Sequence, residues 1–262
     1  MPEMILTEQR GRVAIVTLNR PQVMNAMHPT MLTELYDQVR AWNQDKSVGV
    51  IVVTGAGKGF CAGADMSAWS RGDGPGAPER RNVDYEEWLP IVQNAKPVIA
   101  AINGAAVGWG LTMTLACDLR VASDQAKLSA RFVRAGVTPE LRSSALLPRI
   151  VGLGNAMEMM LTARILSADE AFSLGLVNRV VPHEKLMEQA VALGGEIAFN
   201  PSENLLAVKR LVWAHINDSN FDAVRERESA EFRAAMQRPT FQEAVQSFMQ
   251  KRQPDFHREG ME

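Results

Sequence analysis

At 262 residues, 46% hydrophobic and 22% charged, the chain can bury a core as one large domain or one domain with an appendage. A formal net charge of -2 leaves no basic footprint for nucleic acid and no polybasic patch for a membrane surface. No apolar run approaches the ~20 residues of a membrane span, and two cysteines are too few for a zinc ribbon or a disulfide framework.

The N-terminus, MPEMILTEQR, carries acids where a signal peptide would carry a basic and then an apolar region, so a reducing cytoplasm is the expected location. Residues Glu3 to Gln9 and Arg12 to Leu18 read as a hairpin around Gly11, broken by Asn19-Arg20-Pro21. Pro29 stands at the first position of an amphipathic helix whose buried stripe is Met31, Leu32, Leu35, Val39 and Trp42. His28, just before it, reads as a cap or a surface residue. Val48 to Thr54 is a buried strand.

The stretch TGAGKGFCAGAD, Thr54 to Asp65, holds four glycines. It lacks the order of a P-loop and the βαβ setting of a dinucleotide fingerprint. It does offer backbone N–H groups at a strand end, around Gly63-Ala64-Asp65. Cys61 is a conceivable nucleophile, but with no histidine near it in sequence a packed thiol is the plainer reading. Residues 71 to 82 form a mobile surface loop by composition. Tyr85 to Leu89 follow as a short helix, with Glu86 and Glu87 on its solvated face.

Pro97 to Ser123 is the stretch around which the chain is organised. Pro97 to Ile102 reads as a buried strand and Asn103-Gly104 as a turn. Gly108-Trp109-Gly110 then opens the apolar run Leu111 to Cys117, long enough for about two helical turns. The first N–H groups of such a helix have no intrahelical partner, so they can hold a phosphate, a carboxylate or a developing oxyanion. A tight packing turn with no chemistry is the alternative.

Leu119 to Ser123 and Ala126 to Ser129 read as short strands. Thr138-Pro139-Glu140 places a carboxylate between Gly136 and an apolar helix, Ala145 to Val151. Alone, Glu140 reads as a first-turn helix acid. Ser167 to Glu170 is a capping box for the helix Ala168 to Leu174, closed by Gly175. Val177 to Val181 is a strand ended by Pro182, and His183-Glu184 lacks the partner histidine of a zinc motif.

From Asn200-Pro201 onward the pattern is helical. Leu205, Leu206, Val208, Leu211 and Val212 form one stripe. Phe221, Val224, Phe232 and Met236 form another, and Phe241, Val245 and Phe248 a third, which a second box at Thr240 to Glu243 would cap. These stripes suit a neighbouring subunit or the chain's own core equally. There is no nucleophile elbow, metal-ligand cluster, kinase set or Schiff-base signature. What remains is two glycine-marked turns with free N–H groups and one downstream carboxylate.

Asn19-Arg20-Pro21 with Asn25-Ala26, GKGFCAGAD, KPVIAAINGAAVGWGLTMTLACDLRVAS and AFSLGLVNRVVP stand in the order and spacing of a known family. Across essentially its whole length the chain resembles the crotonase superfamily, the enoyl-CoA hydratases and isomerases. The resemblance implies an α/β fold: a spiral of ββα repeats over residues 1–199, with a C-terminal helical region, 200–262, that helps build homotrimers or hexamers. It implies an acyl-CoA substrate, with coenzyme A part of that substrate, no separate cofactor and no metal.

By the same resemblance the N–H groups of Ala64 and Trp109 form an oxyanion hole. Met24, Asn25, Ala26, Cys61, Ala62 and Gly63 line the coenzyme A site, and Asp65, Gly108, Thr112 and Phe132 complete the substrate site. The two glutamates of the family's hydratases fall at Thr112 and Phe132, and Trp109 stands where a glycine is usual. Glu140 sits where peroxisomal-type Δ3,Δ2-enoyl-CoA isomerases carry their single base. The expected reaction is therefore double-bond isomerisation with Glu140 as base. The alternatives are trans-2-enoyl-CoA hydration, with Glu140 alone or helped by Asp65, and a non-catalytic acyl-CoA-binding paralogue.

Overall fold

The computed structural model describes residues 3–67 and 87–258. Strands β1 (Ile5–Arg10) and β2 (Val13–Leu18) form the expected hairpin, with Ile5 opposite Leu18 and Arg10 opposite Val13. Helix α1 (Pro29–Gln44) follows, and His28 caps it: its Nδ1 accepts from the Thr30 N–H at 3.2 Å.

Three successive units then each give one strand to each of two sheets. They are β3 (Val50–Gly55) with β4 (Gly59–Cys61), β5 (Val98–Ile102) with β6 (Ala105–Val107), and β7 (Leu119–Ser123) with β8 (Lys127–Ser129). The short strands β9 (Leu166–Ser167) and β10 (Arg179–Val181) complete the sheets, whose orders are β1-β2-β3-β5-β7-β10 and β4-β6-β8-β9. From β2 to β10 the first sheet is parallel throughout. This is the expected spiral of ββα repeats.

The larger sheet is apolar on both faces, as parallel strands under two layers must be. Ile51 and Val53 of β3, and Val98, Ala100 and Ile102 of β5, face the main core. Val50 and Val52, with Ile99 and Ala101, face the opposite layer. The main core takes in α1, α2 (Trp88–Asn94) and α3 (Trp109–Ala116), together with α4 (Ser143–Val151), α5 (Leu153–Thr162) and α6 (Ala168–Ser173). Helix α7 (Leu186–Ala198) covers the other face with Leu186, Ala190, Leu193 and Ala198. Helices α5 and α7 are not among the elements expected from the sequence. Nor are β4, β6 and β9, whose two or three residues are too short to show a period.

At Ser167 the capping box is formed, with the Glu170 N–H donating to Ser167 Oγ at 3.2 Å and the Ser167 N–H to Glu170 Oε2 at 2.8 Å. The second box, at Thr240, is not. Of the C-terminal helices α8 (Ser202–His215), α9 (Phe221–Ala235) and α10 (Pro239–Gln250), the last starts at Pro239 with Arg238 as its cap. That start puts Thr240 inside the helix, where its buried hydroxyl has no partner among the described residues. Glu243 instead accepts from Arg252 Nη2 at 3.0 Å and from the Asp255 N–H at 2.9 Å. The expected loop at 71–82, with Tyr85 and Glu86, lies outside the described residues. Glu87 pairs with Arg40 at 2.7 Å.

The apolar stripes of the last three helices are only partly covered by the chain itself. Phe221, Phe232 and Phe248 are 80%, 66% and 81% exposed, while α8 buries Ala207 and Lys209. Lys209 ties α8 to the core. Its Nζ lies 2.6 Å from Asp118 Oδ2, which also accepts from the Val98 N–H at 2.7 Å. Burial pulls the ammonium below its usual pKa and the Asp118 charge works against that shift.

Asp118→Asn removes the charge but not the volume. Breaking a fully buried pair costs ~3–5 kcal/mol, and the part-exposure of Asp118 reduces this to about 2 kcal/mol. A melting curve should show Tm lower by about 4–8 °C in a chain of this size.

Candidate active site

The first glycine-rich turn is held by a neighbouring loop. Asn25, buried with φ 55°, donates from Nδ2 to the carbonyls of Ala56 (2.9 Å) and Gly59 (2.8 Å). Its Oδ1 accepts from the Arg20 N–H at 2.8 Å. The Arg20 guanidinium then reaches Asp65 Oδ2 at 2.9 Å and the Ala26 carbonyl at 2.6 Å. A single parallel bridge joins Met27 to Ala64: the Met27 N–H donates to Gly63 O at 2.7 Å, and the Asp65 N–H to Met27 O at 3.2 Å. That pattern leaves the Ala64 N–H with no acceptor among the described residues.

The second turn meets the first through glycine. Gly63 has φ 102°, and a Cβ there would sit 2.9 Å from Val107 O and 3.8 Å from the Trp109 nitrogen. A Cβ on Gly110 would lie 2.0 Å from the Cys61 carbonyl oxygen, so only glycine lets α3 start this close to β4. Gly108 caps α3 and Trp109 is its first residue. The Trp109 N–H is thus one of the helix's orphan donors, and it too has no acceptor among the described residues.

Ala64 and Trp109 both border one cavity of about 230 Å3. Ala62 to Ala64 and Met66 line it, with Val107 to Trp109, and with Arg131, Phe132, Arg134, Ala135, Val137 and Glu140. Glu140 is not a first-turn helix acid. Leu141 and Arg142 follow it with φ 48° and 57°, and α4 begins only at Ser143. Two consecutive left-handed residues that are not glycine cost energy, and such strain gathers where a side chain must be aimed. The Thr112 hydroxyl lies 3.4 Å from Glu140 Oε1 and 3.2 Å from the Trp109 carbonyl. Phe132 is packed, its ring nearly inaccessible.

The structure therefore gathers Ala62, Gly63, Ala64, Gly108, Trp109, Phe132 and Glu140 around one space, with Thr112 behind Glu140. Met24, Asn25, Ala26, Cys61 and Asp65 do not line it. The side chains of Asn25 and Asp65 hold the loops together, and Asp65 also accepts from Ser67 Oγ at 2.6 Å. Its carboxylate is thus engaged away from the cavity, which removes the basis for its helping to position water. Cys61 is wholly buried, and burial pushes its thiol up to about 12. The Trp109 indole packs into the core with its Nε1 unpartnered among the described residues.

Met66, Val107, Arg131, Arg134, Ala135 and Val137 line the cavity and were not anticipated. Their only signal in the sequence is adjacency to Ala64, Gly108 and Phe132. Among the described residues no group of His, Cys, Asp and Glu comes together that could hold a metal ion, and no helix is long and apolar enough to cross a membrane. Two free backbone donors beside one carboxylate can hold an oxygen as it gains charge while a proton moves nearby.

Residues 8–259 match the family model described as enoyl-CoA hydratase/isomerase. The chain is 35% identical to a crotonyl-CoA hydratase of Syntrophomonas wolfei, over 97% of this chain and 98% of that one. It is 34% identical to the enoyl-CoA hydratase ACTT3 of Alternaria alternata, over 93% and 82%. Among solved structures, an enoyl-CoA hydratase from Bacillus anthracis superposes with TM-score 0.86 at 30% identity, covering 97% of this chain and 98% of that one.

With both thiols buried and raised to about 12, neither Cys61 nor Cys117 should react with a thiol reagent in the native protein at pH 8. Both should react after unfolding. Prompt labelling of Cys61 in the folded protein would revive it as a nucleophile.

Proposed function

The chain belongs to the enoyl-CoA hydratase/isomerase family, and on that footing we propose that it stabilises the enolate of an acyl-CoA thioester, with Glu140 as its acid–base group. The thioester oxygen lies between the N–H groups of Ala64 and Trp109, which the chain leaves without acceptors. Glu140 takes a proton from C2 of a 3-enoyl thioester, and the C2–H electrons move into the conjugated dienolate, whose oxygen charge the two donors hold. The protonated Glu140 then delivers that proton to C4, and the double bond ends between C2 and C3. Coenzyme A enters as part of the substrate, and the reaction needs no metal and no further cofactor.

The observation that carries isomerisation is the cavity's acid–base content. Glu140 is the one carboxylate that lines it among the described residues, with a hydroxyl at Thr112 and a phenyl ring at Phe132. A proton shuttle needs one such group, whereas adding water usually engages two.

Hydration of a trans-2-enoyl thioester is the second reading, and the relatives' names favour it: both curated proteins above are named hydratases. In that reaction the oxygen of water bonds to C3 as Glu140 takes its proton, and the protonated Glu140 then gives a proton to C2 of the resulting enolate. Assembly as a homotrimer or hexamer belongs to the same reading, with residues 1–199 holding the substrate, 200–262 joining subunits and the protein acting in the cytoplasm. The exposed Phe221, Phe232 and Phe248 supply apolar surface for such contacts.

Incubation with a 3-enoyl-CoA should give a conjugated product of unchanged mass by mass spectrometry. A product heavier by one water from a 2-enoyl-CoA, with none from the 3-enoyl-CoA, would establish the hydratase instead. Glu140→Gln should lower turnover by about 10²–10⁴-fold with ligand affinity kept. Binding with no turnover of either substrate by the unaltered protein would make it a non-catalytic acyl-CoA-binding paralogue.

A further inference from the structure

Two arginines on the cavity wall have no part in the enolate chemistry. Arg131 and Arg134 both line the 230 Å3 cavity beside Phe132 and Glu140. The turn that carries them is closed by the Ala135 N–H donating to Arg131 O at 3.1 Å, and residues 133–135 are a 3₁₀ helix. Neither guanidinium has a hydrogen bond or ion pair among the described residues. Arg20, Arg164, Arg238 and Arg252 are all paired.

A purely hydrocarbon acyl tail gains nothing from two guanidinium groups, and stripping water from them is costly. A carboxylate repays that cost, because the planar fork of arginine matches its two oxygens. We propose that Arg131 and Arg134 form a subsite for an anionic group at the far end of the acyl chain. The preferred substrate is then an enoyl thioester ending in a carboxylate, not a plain fatty acyl thioester. This rests on the acyl-thioester reading above. The wall that carries the arginines also carries Glu140, which that reading places at C2 and C4. The subsite therefore serves the acyl end rather than the phosphates of coenzyme A.

Affinity for saturated thioesters tests this without any turnover. Titration calorimetry with adipoyl-CoA and hexanoyl-CoA, equal in carbon number, should show the carboxylate-bearing ligand bound about ten- to a hundred-fold more tightly. Arg131→Gln and Arg134→Gln should each remove most of that preference while leaving hexanoyl-CoA affinity unchanged. Arg134→Glu should reverse it, and the preference should weaken as salt is raised.

Equal affinity for the two ligands in the unaltered protein overturns the subsite and leaves the enolate reading standing. A loss equal for both ligands in the variants, and absent when pantetheine thioesters replace the coenzyme A thioesters, assigns the arginines to the phosphates and also overturns it. Failure to bind either thioester overturns the acyl-thioester reading and the subsite together.

Discussion

The contact between two glycine turns is the constraint on which the rest of this molecule depends. Two backbone N–H groups can face one small space only if the strand end at Ala64 and the helix start at Trp109 are brought nearly into van der Waals contact. Any side chain at Gly110 would meet the Cys61 carbonyl, and any at Gly63 would meet that of Val107. Backbone donors have the advantage of being fixed by the fold. They need no rotamer to be chosen, and they lose little entropy when charge develops opposite them.

That contact is braced from behind by the loop from Arg20 to Met27. Asn25 satisfies two carbonyls of the glycine-rich turn, and Arg20 clamps Asp65 and the Ala26 carbonyl together. A buried ion pair is weak evidence of stability, because desolvation offsets most of the attraction. Its value here is geometric. With Arg20 and Asp65 joined, the short bridge between Met27 and Ala64 is held in place, and Ala64 lines the cavity.

Glu140 is placed by a different device. A carboxylate in the first turn of a helix would point along the helix end and be satisfied by its amides. Leu141 and Arg142 intervene in left-handed conformations, so the chain reverses before α4 begins and the carboxylate lines the cavity instead. At the other end of the chain, α8 to α10 turn large aromatic side chains outward, while Lys209 with Asp118 and the half-buried Trp213 hold α8 to the core. Among the described residues, the helical region therefore leaves Phe221, Phe232 and Phe248 largely exposed.

The long elements were legible because each carries enough residues to show its period: the strands from Val50 and Val98 alternate between two layers, and α1 carries its stripe over four turns. Local capping chemistry was legible at Ser167, where four consecutive residues suffice, and misleading at Thr240, where a proline one position earlier starts the helix. Residue type and order alone placed Ala64, Trp109 and Glu140 as partners, by resemblance. Only the tertiary structure brought Arg131 and Arg134 to the same cavity, moved Asp65 and Cys61 off its lining, and left the helical stripes outward. The reason is physical: periodicity reports which face of an element is apolar, while what meets that face, and which polar groups are left without partners, is decided by segments tens of residues away.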